Sequence, residues 1–202
     1  MTSLQPFPID LTLFELVNIQ WRLPLLDLIM PPISSMLYMG LLLLIPIIFL
    51  VIKQGKKQLV AVFFILLMMG ATDYTGNFIK KAAGKVRPYK SQALAYYVDG
   101  DSWKQRPPDY VQEKERGTSF PSSHSANTMV LATLAMLFWR KSRPWIFVVP
   151  IAVGYSRLYL AKHFISDVIG GYCWGLTIAL LGWMLWTKVI EPRLPEKWSP
   201  RV

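Results

Sequence analysis

The sequence predicts an all-α fold: a multi-pass transmembrane helical bundle of about five spans preceded by an interfacial helix. Three observations predict it. Hydrophobic residues make up 53% of the 202 positions, and they fall in long blocks, as membrane spans do. Charged residues gather in short patches between those blocks. Trp and Tyr residues such as Trp139 and Trp145 stand near block ends, where amphipathic rings anchor a helix at the interface.

The elements follow in chain order. Residues 9–22 place Thr12, Glu15, Asn18 and Arg22 at helical spacing, with Leu13, Phe14, Leu16, Val17 and Trp21 elsewhere. This is the pattern of an amphipathic helix lying in the interface. Pro24, Pro31 and Pro32 are expected to break the chain next. The spans are then expected at 33–52, 58–79, 124–139, 145–160 and 166–187, some near the lower length limit of roughly 17 residues. Gly171 and Gly175 form a small-xxx-small pair in the last span, which permits close helix contact. The whole chain, 1–202, is expected to be one membrane-embedded domain.

Charge sets the orientation. Lys53, Lys56 and Lys57 follow the first span, Arg140, Lys141 and Arg143 the third, and Lys188, Arg193, Lys197 and Arg201 the fifth. Five spans put these clusters on one side, which the positive-inside rule makes cytoplasmic. The 9–22 helix and a loop at 80–120 are then extracytoplasmic, in a cell (inner) membrane. No basic segment precedes a short apolar one, and Asp10 and Glu15 come early. The first span is therefore expected to act as its own insertion signal. Cys173, inside an apolar block, has no cysteine to pair with in this chain and says nothing of compartment. The formal charge of +10 fits membrane topology and an anionic ligand better than nucleic acid.

Loop 80–120 is basic on the side where basic residues are usually sparse. Its distal half can be a solvated loop, but the cluster from Lys80 to Lys90 touches a helix end and needs another reason. Lys81, Lys85 and Lys90 are expected to attract headgroups. Asp73, two helical turns before Lys80 and on the same face, is expected to position it.

Three short segments share the outer face under this topology: 80–88 (KKAAGKVRP), 120–124 (FPSSH) and 156–167 (SRLYLAKHFISD). The chain has two histidines, and both fall here. Asp167 follows His163 by four residues, a spacing that can hold one ring nitrogen protonated and free the other to attack. His124 follows Ser122 and Ser123 at a helix N-terminus, where free N–H groups favour an anion. Lys80, Arg87 and Arg157 can converge on the same face, and arginine forks match phosphate oxygens. Such a constellation suits phosphoryl transfer. No cluster of outward-facing carboxylates suggests a dinuclear metal site, so neither metal nor other cofactor is expected.

These segments resemble the three signature motifs of the type 2 phosphatidic acid phosphatase superfamily, which also contains vanadium haloperoxidases. K-x6-R-P is matched by Lys80, Arg87 and Pro88. P-S-G-H is matched by Pro121, Ser122 and His124, with Ser123 where glycine is usual. S-R-x5-H-x3-D is matched by Ser156, Arg157, His163 and Asp167. The resemblance implies a lipid phosphatase in which His163, oriented by Asp167, attacks phosphorus and His124 serves as acid, then base. Lys80, Arg87, Arg157, Ser122 and Ser123 would hold the phosphoryl oxygens. A side chain at Ser123 alters the close backbone approach that glycine would allow. The preferred substrate by analogy is a polyprenyl diphosphate such as undecaprenyl diphosphate. Phosphatidylglycerophosphate, phosphatidic acid and lipid A phosphate are alternatives. The expected partners are the lipid substrate and the bilayer, with no obligate protein partner. A lipid transporter or binding protein would also bury charge in spans, but has no need of two histidines beside three cations.

Overall fold

The computed structural model describes residues 3–139 and 144–200. Seven α-helices lie among the described residues: α1 (Pro8–Phe14), α2 (Pro24–Ser34), α3 (Met36–Gln54), α4 (Gln58–Ala83), α5 (Ser123–Phe138), α6 (Val148–Tyr159) and α7 (Ile165–Leu185). The all-α reading holds with one addition. A two-stranded antiparallel hairpin, β1 (Tyr96–Asp99) and β2 (Ser102–Gln105), occupies the middle of the 80–120 segment. Arg140, Lys141, Arg143 and Arg201 of the basic clusters lie outside the described residues.

The expected helix at 9–22 is present as α1 and a wider π turn through Glu15–Gln20. Pro8 opens it, where a missing N–H costs nothing, and Asp10 Oδ2 accepts the Phe7 N–H at 3.0 Å. Its polar side is not uniformly solvated. Thr12 and Glu15 are exposed, but Asn18 is fully buried. Asn18 donates to the carbonyls of Tyr96 (2.9 Å) and Tyr159 (2.6 Å) and accepts the Tyr96 N–H at 2.9 Å. Spacing alone cannot tell a wet polar residue from one whose partners lie far along the chain.

The prolines do not break the chain where expected. Pro24 opens α2, and Pro31 and Pro32 sit inside its last turns; the break comes at Ser35, which is extended. Pro31 leaves the Asp27 carbonyl without its helical donor, and Trp103 Nε1 supplies one at 3.3 Å.

The five expected spans correspond to α3, α4, α5, the 145–159 stretch ending in α6, and α7. Three are long and apolar enough to cross a bilayer: Leu37–Gln54, Gln58–Lys90 and Ile165–Arg193, with mean hydropathies of 2.2, 1.7 and 1.6. At 16 residues α5 is shorter, yet it lies between α4, α6 and α7. A helix enclosed by neighbours need not match lipid thickness. By contrast, none of the Leu37–Gln54 stretch is buried by the protein, so α3 relies on lipid to cover it.

The core lies between α4, α5 and α7. Phe64, Ile65, Val130, Leu134, Phe138, Ala179 and Trp186 meet there, with Phe138 edge-on to Trp186 at 4.9 Å and to Trp183 at 5.1 Å. The glycine pair packs as expected. A Cβ at Gly171 would stand 2.5 Å from the Ser122 carbonyl oxygen, and one at Gly175 would collide with that of Ala126. Close contact of α7 with α5 brings the 120–124 and 163–167 segments together. Of the two tryptophans read as anchors, Trp145 is exposed while Trp139 donates to Gln58 Oε1 at 2.8 Å.

Candidate active site

The 26 residues of α4 span about 39 Å at the α-helical rise, more than the roughly 30 Å hydrocarbon core. It is therefore long enough to carry residues beyond the apolar zone at one end. The helix stops at Gly84, whose left-handed backbone (φ 61°) lets its N–H return to the Lys80 carbonyl at 3.0 Å. Arg116 Nη2 donates to the Lys81 carbonyl at 2.9 Å. The chain then pairs with 117–119: Gly117 N–H meets the Gly84 carbonyl and Ser119 N–H the Lys85 carbonyl, both at 2.8 Å. A Cβ at Gly117 would lie 2.8 Å from the Lys85 carbonyl oxygen. This pairing joins the first segment to the second. Arg87 is extended ahead of Pro88, and the Tyr89 N–H bonds the Ala161 carbonyl at 3.0 Å, joining the first segment to the third.

Ser122 caps α5, its Oγ accepting the Ser125 hydroxyl at 3.0 Å and the Ser125 N–H at 3.4 Å. Its own N–H donates to the Asp167 carbonyl at 3.0 Å. Ser123 and His124 occupy the first turn of α5, where helical N–H groups lack partners. Lys80 Nζ donates to Ser123 Oγ, so the serine in the usual glycine position meets the motif lysine directly.

The third segment is a tight reversal between α6 and α7. The Arg157 carbonyl accepts both the Lys162 and His163 N–H groups, at 3.0 and 3.2 Å. Ala161 takes a left-handed conformation (φ 51°) to permit it. The arginine and histidine of this motif are therefore coupled through backbone. Asp167, in the first turn of α7, accepts the Phe164 N–H at 2.9 Å.

His163 is 3% exposed. Its Nδ1 lies 3.6 Å from Asp167 Oδ2 and 3.4 Å from Ser119 Oγ, and the Ser119 hydroxyl donates to Asp167 Oδ2 at 2.5 Å. With Nδ1 turned to this pair, Nε2 is the nitrogen left for chemistry. Burial lowers the His163 pKa from 6.5 to about 4; Asp167 pulls the other way, and the Arg157 and Arg87 charges add to the lowering. The ring is thus neutral at ordinary pH. Arg157, 6% exposed, donates through Nη1 to Ser34 Oγ of α2, while its buried Nε meets no acceptor among the described residues. The charges of Arg157, Arg87 and Lys80 all act on His124. The eight residues singled out in the sequence therefore come from three segments to one end of the bundle.

Two expectations need correction. Lys85 attracts no headgroup: it is fully buried, because the pairing of 84–86 with 117–119 turns it inward. Asp73 holds Asn127 Nδ2 at 2.9 Å and reaches Lys80 only through its charge, so it braces α4 against α5. Sequence reasoning also passed over Ser119, Ser166 and Asp10. A serine immediately before FPSSH and an aspartate more than 150 residues from its partner carry no local signal.

A family model described as the PAP2 superfamily matches residues 61–191. Among curated proteins, Phosphatidylglycerophosphatase B of Bacillus subtilis is 35% identical over 78 residues, covering 33% of this chain and 38% of that protein. Lipid A 4'-phosphatase of Bacteroides thetaiotaomicron is 30% identical over 107 residues, covering 50% and 42%. The matched stretches thus span well under two thirds of these relatives' own lengths. Among solved structures, LpxE of Aquifex aeolicus superposes with a TM-score of 0.66 at 22% identity, covering 91% of this chain and 99% of that one. The transmembrane PAP2 type phosphatidylglycerolphosphate phosphatase of Bacillus subtilis gives 0.62 at 23% identity, covering 91% and 87%. These likenesses establish a shared fold.

Proposed function

The chain belongs to the PAP2 superfamily, and from that premise we propose that it is a membrane lipid phosphatase working through a phosphohistidine on His163. One observation supports this most: a neutral imidazole, backed on Nδ1 by Asp167, stands in a region where a buried Arg157 Nε lacks an acceptor. A phosphate oxygen would satisfy that donor.

The residues divide the work as follows. His163 Nε2 forms a bond to phosphorus as the bond to the lipid-side oxygen breaks, and His124 gives that oxygen its proton. Water then attacks the phosphohistidine, His124 takes the water's proton, and the N–P bond breaks to release phosphate. Lys80, Arg87, Arg157, Ser122 and the Ser123 N–H hold the equatorial oxygens as charge develops. The clamp is made of cations, and no step requires a metal.

The favoured substrate is a polyprenyl diphosphate, such as undecaprenyl diphosphate. Lys162 adjoins His163 and lies 4.8 Å from the Tyr89 ring, with Lys90 at 5.3 Å from the same ring. These cations add to the three of the clamp, more positive charge than one phosphate balances. A second phosphate would use it. Phosphate release by the purified protein from undecaprenyl diphosphate, phosphatidylglycerophosphate, phosphatidic acid and a lipid A phosphate tests the reading. Lys162→Met is expected to lower kcat/KM for the diphosphate about 10-fold, the worth of one charge-assisted contact, and to leave monophosphates little changed. Equal losses on all four lipids would remove the diphosphate preference, and no release from any would remove the phosphatase.

The site is assigned to the extracytoplasmic face of a cell (inner) membrane. Lys53, Lys56 and Lys57 precede the start of α4, the opposite end from Lys80. Gln58 bonds the Pro200 carbonyl at 3.0 Å, so Arg193 and Lys197 lie toward that end too. In a Cys173→Ser background, an impermeant thiol reagent is expected to label Ser102→Cys in intact cells and to miss Gln54→Cys. The reverse pattern would invert the orientation.

A further inference from the structure

The Asp167 carboxylate is met from behind by a lysine that touches none of the proposed phosphate ligands. Lys85 Nζ lies 3.0 Å from Asp167 Oδ1, 2.8 Å from Asp10 Oδ2 and 2.7 Å from Ser166 Oγ. The side chains of Lys85, Asp10 and Asp167 are all fully buried. Asp10 is held in turn: its Oδ1 accepts the Ser166 N–H at 2.9 Å and its Oδ2 the Ser166 hydroxyl at 2.7 Å. The Phe164 ring, next to His163, packs 4.8 Å from the ammonium.

We propose that Lys85 is a positioning residue for the attack, and that Asp10 makes the N-terminal helix a working part of the site. The proposal rests on His163 as nucleophile. Asp167 divides its two oxygens. Oδ2 takes the Ser119 hydroxyl, the Phe164 N–H and the approach of His163 Nδ1; Oδ1 accepts no hydrogen bond among the described residues and faces Lys85 across the ion pair. Pinning Oδ1 stops the carboxylate from rotating and keeps Oδ2 against the ring. A lysine paired to Asp167 alone would cancel the negative charge that the imidazole needs as it becomes cationic. Asp10 prevents this, because the Asp10–Lys85–Asp167 chain keeps one net negative charge. Removing Lys85 would leave two buried carboxylates facing one vacated space, an arrangement that forces one to protonate or turn away.

The rival account is a structural rivet: Lys85 fastens α1 to the start of α7 and does nothing for the chemistry. Lys85→Met and the double variant Asp10→Asn/Lys85→Met separate the two, read by thermal unfolding in detergent, kcat, KM and the single-turnover rate of phosphoenzyme formation. Lys85→Met should unfold at lower temperature and form phosphoenzyme about 10–100-fold more slowly, the usual range for an outer partner of a working histidine, with KM little changed. The double variant also removes the Asp10 charge and leaves Asp167 to Ser119, His163 and the Phe164 N–H, so its unfolding temperature should recover, while phosphoenzyme formation stays slow. Lys85→Arg, which keeps the charge, should regain part of the rate. Recovery of rate together with stability in the double variant would overturn the proposal, as would a wild-type rate in Lys85→Met. A wild type that turns over without any phosphohistidine would remove the nucleophile, and this proposal with it.

Discussion

Replacing His163 by alanine is expected to lower turnover by roughly 10⁴-fold or more, the scale seen when a covalent nucleophile is removed, and to leave no phosphoenzyme. No neighbour can substitute for it: the ring is buried, its Nδ1 is committed to Asp167 and Ser119, and its position is fixed by the backbone bond to the Arg157 carbonyl. Asp167→Asn should cause a smaller loss, since it disturbs the tautomer and aim of the ring without removing it. The low pKa of His163, about 4, gives the attack a pH signature. Attack needs the neutral ring, so the acid limb of kcat/KM belonging to His163 should lie near pH 4 rather than near 6.5. Stability has a matching sign. Between about 6.5 and 4 the unfolded ring binds a proton that the folded ring refuses, so stability falls as pH drops through that window. His163→Ala should flatten this part of the stability profile, measured by thermal unfolding at fixed ionic strength. An acid limb near 6.5 would contradict the buried, neutral nucleophile.

His124→Ala should lower turnover of a lipid substrate by roughly 10²–10⁴-fold, the range for general acid–base catalysis. The size of the loss should depend on the leaving group. An aryl phosphate with an activated leaving group needs no proton as its bond breaks, so formation of the phosphoenzyme should be nearly spared. Hydrolysis of that phosphoenzyme still needs a base for water. The variant should therefore show a burst of aryl alcohol followed by slow turnover, measured by stopped-flow absorbance. Equal losses with activated and unactivated substrates would assign His124 to binding alone.

Much of the site was legible because it is local in sequence. K-x6-R-P, the FPSSH run and S-R-x5-H-x3-D each place their residues by a single turn or helix end, and the structure realises each locally: a left-handed Gly84, a Ser122 cap, a reversal on the Arg157 carbonyl. Spans were legible because apolar blocks are long. What was not legible depends on contacts between distant segments. Lys85 reads as one more basic loop residue until the 84–86 stretch pairs with 117–119 and turns it inward. Asn18 reads as the wet side of an amphipathic helix and Asp10 only as an early acidic residue, because their partners, Tyr159 and Ser166, lie more than 140 positions away. The proline break was misplaced because a hydrogen bond from Trp103 satisfies the carbonyl that Pro31 abandons.

The central claim, covalent transfer through His163, is tested most directly by trapping the intermediate. The His124→Ala variant, mixed with an aryl phosphate and quenched under alkaline conditions within the burst, should carry one acid-labile phosphate, and peptide mass spectrometry should place it on His163. Phosphate on any other residue, or a full burst of aryl alcohol with no phosphorylated protein, would contradict it.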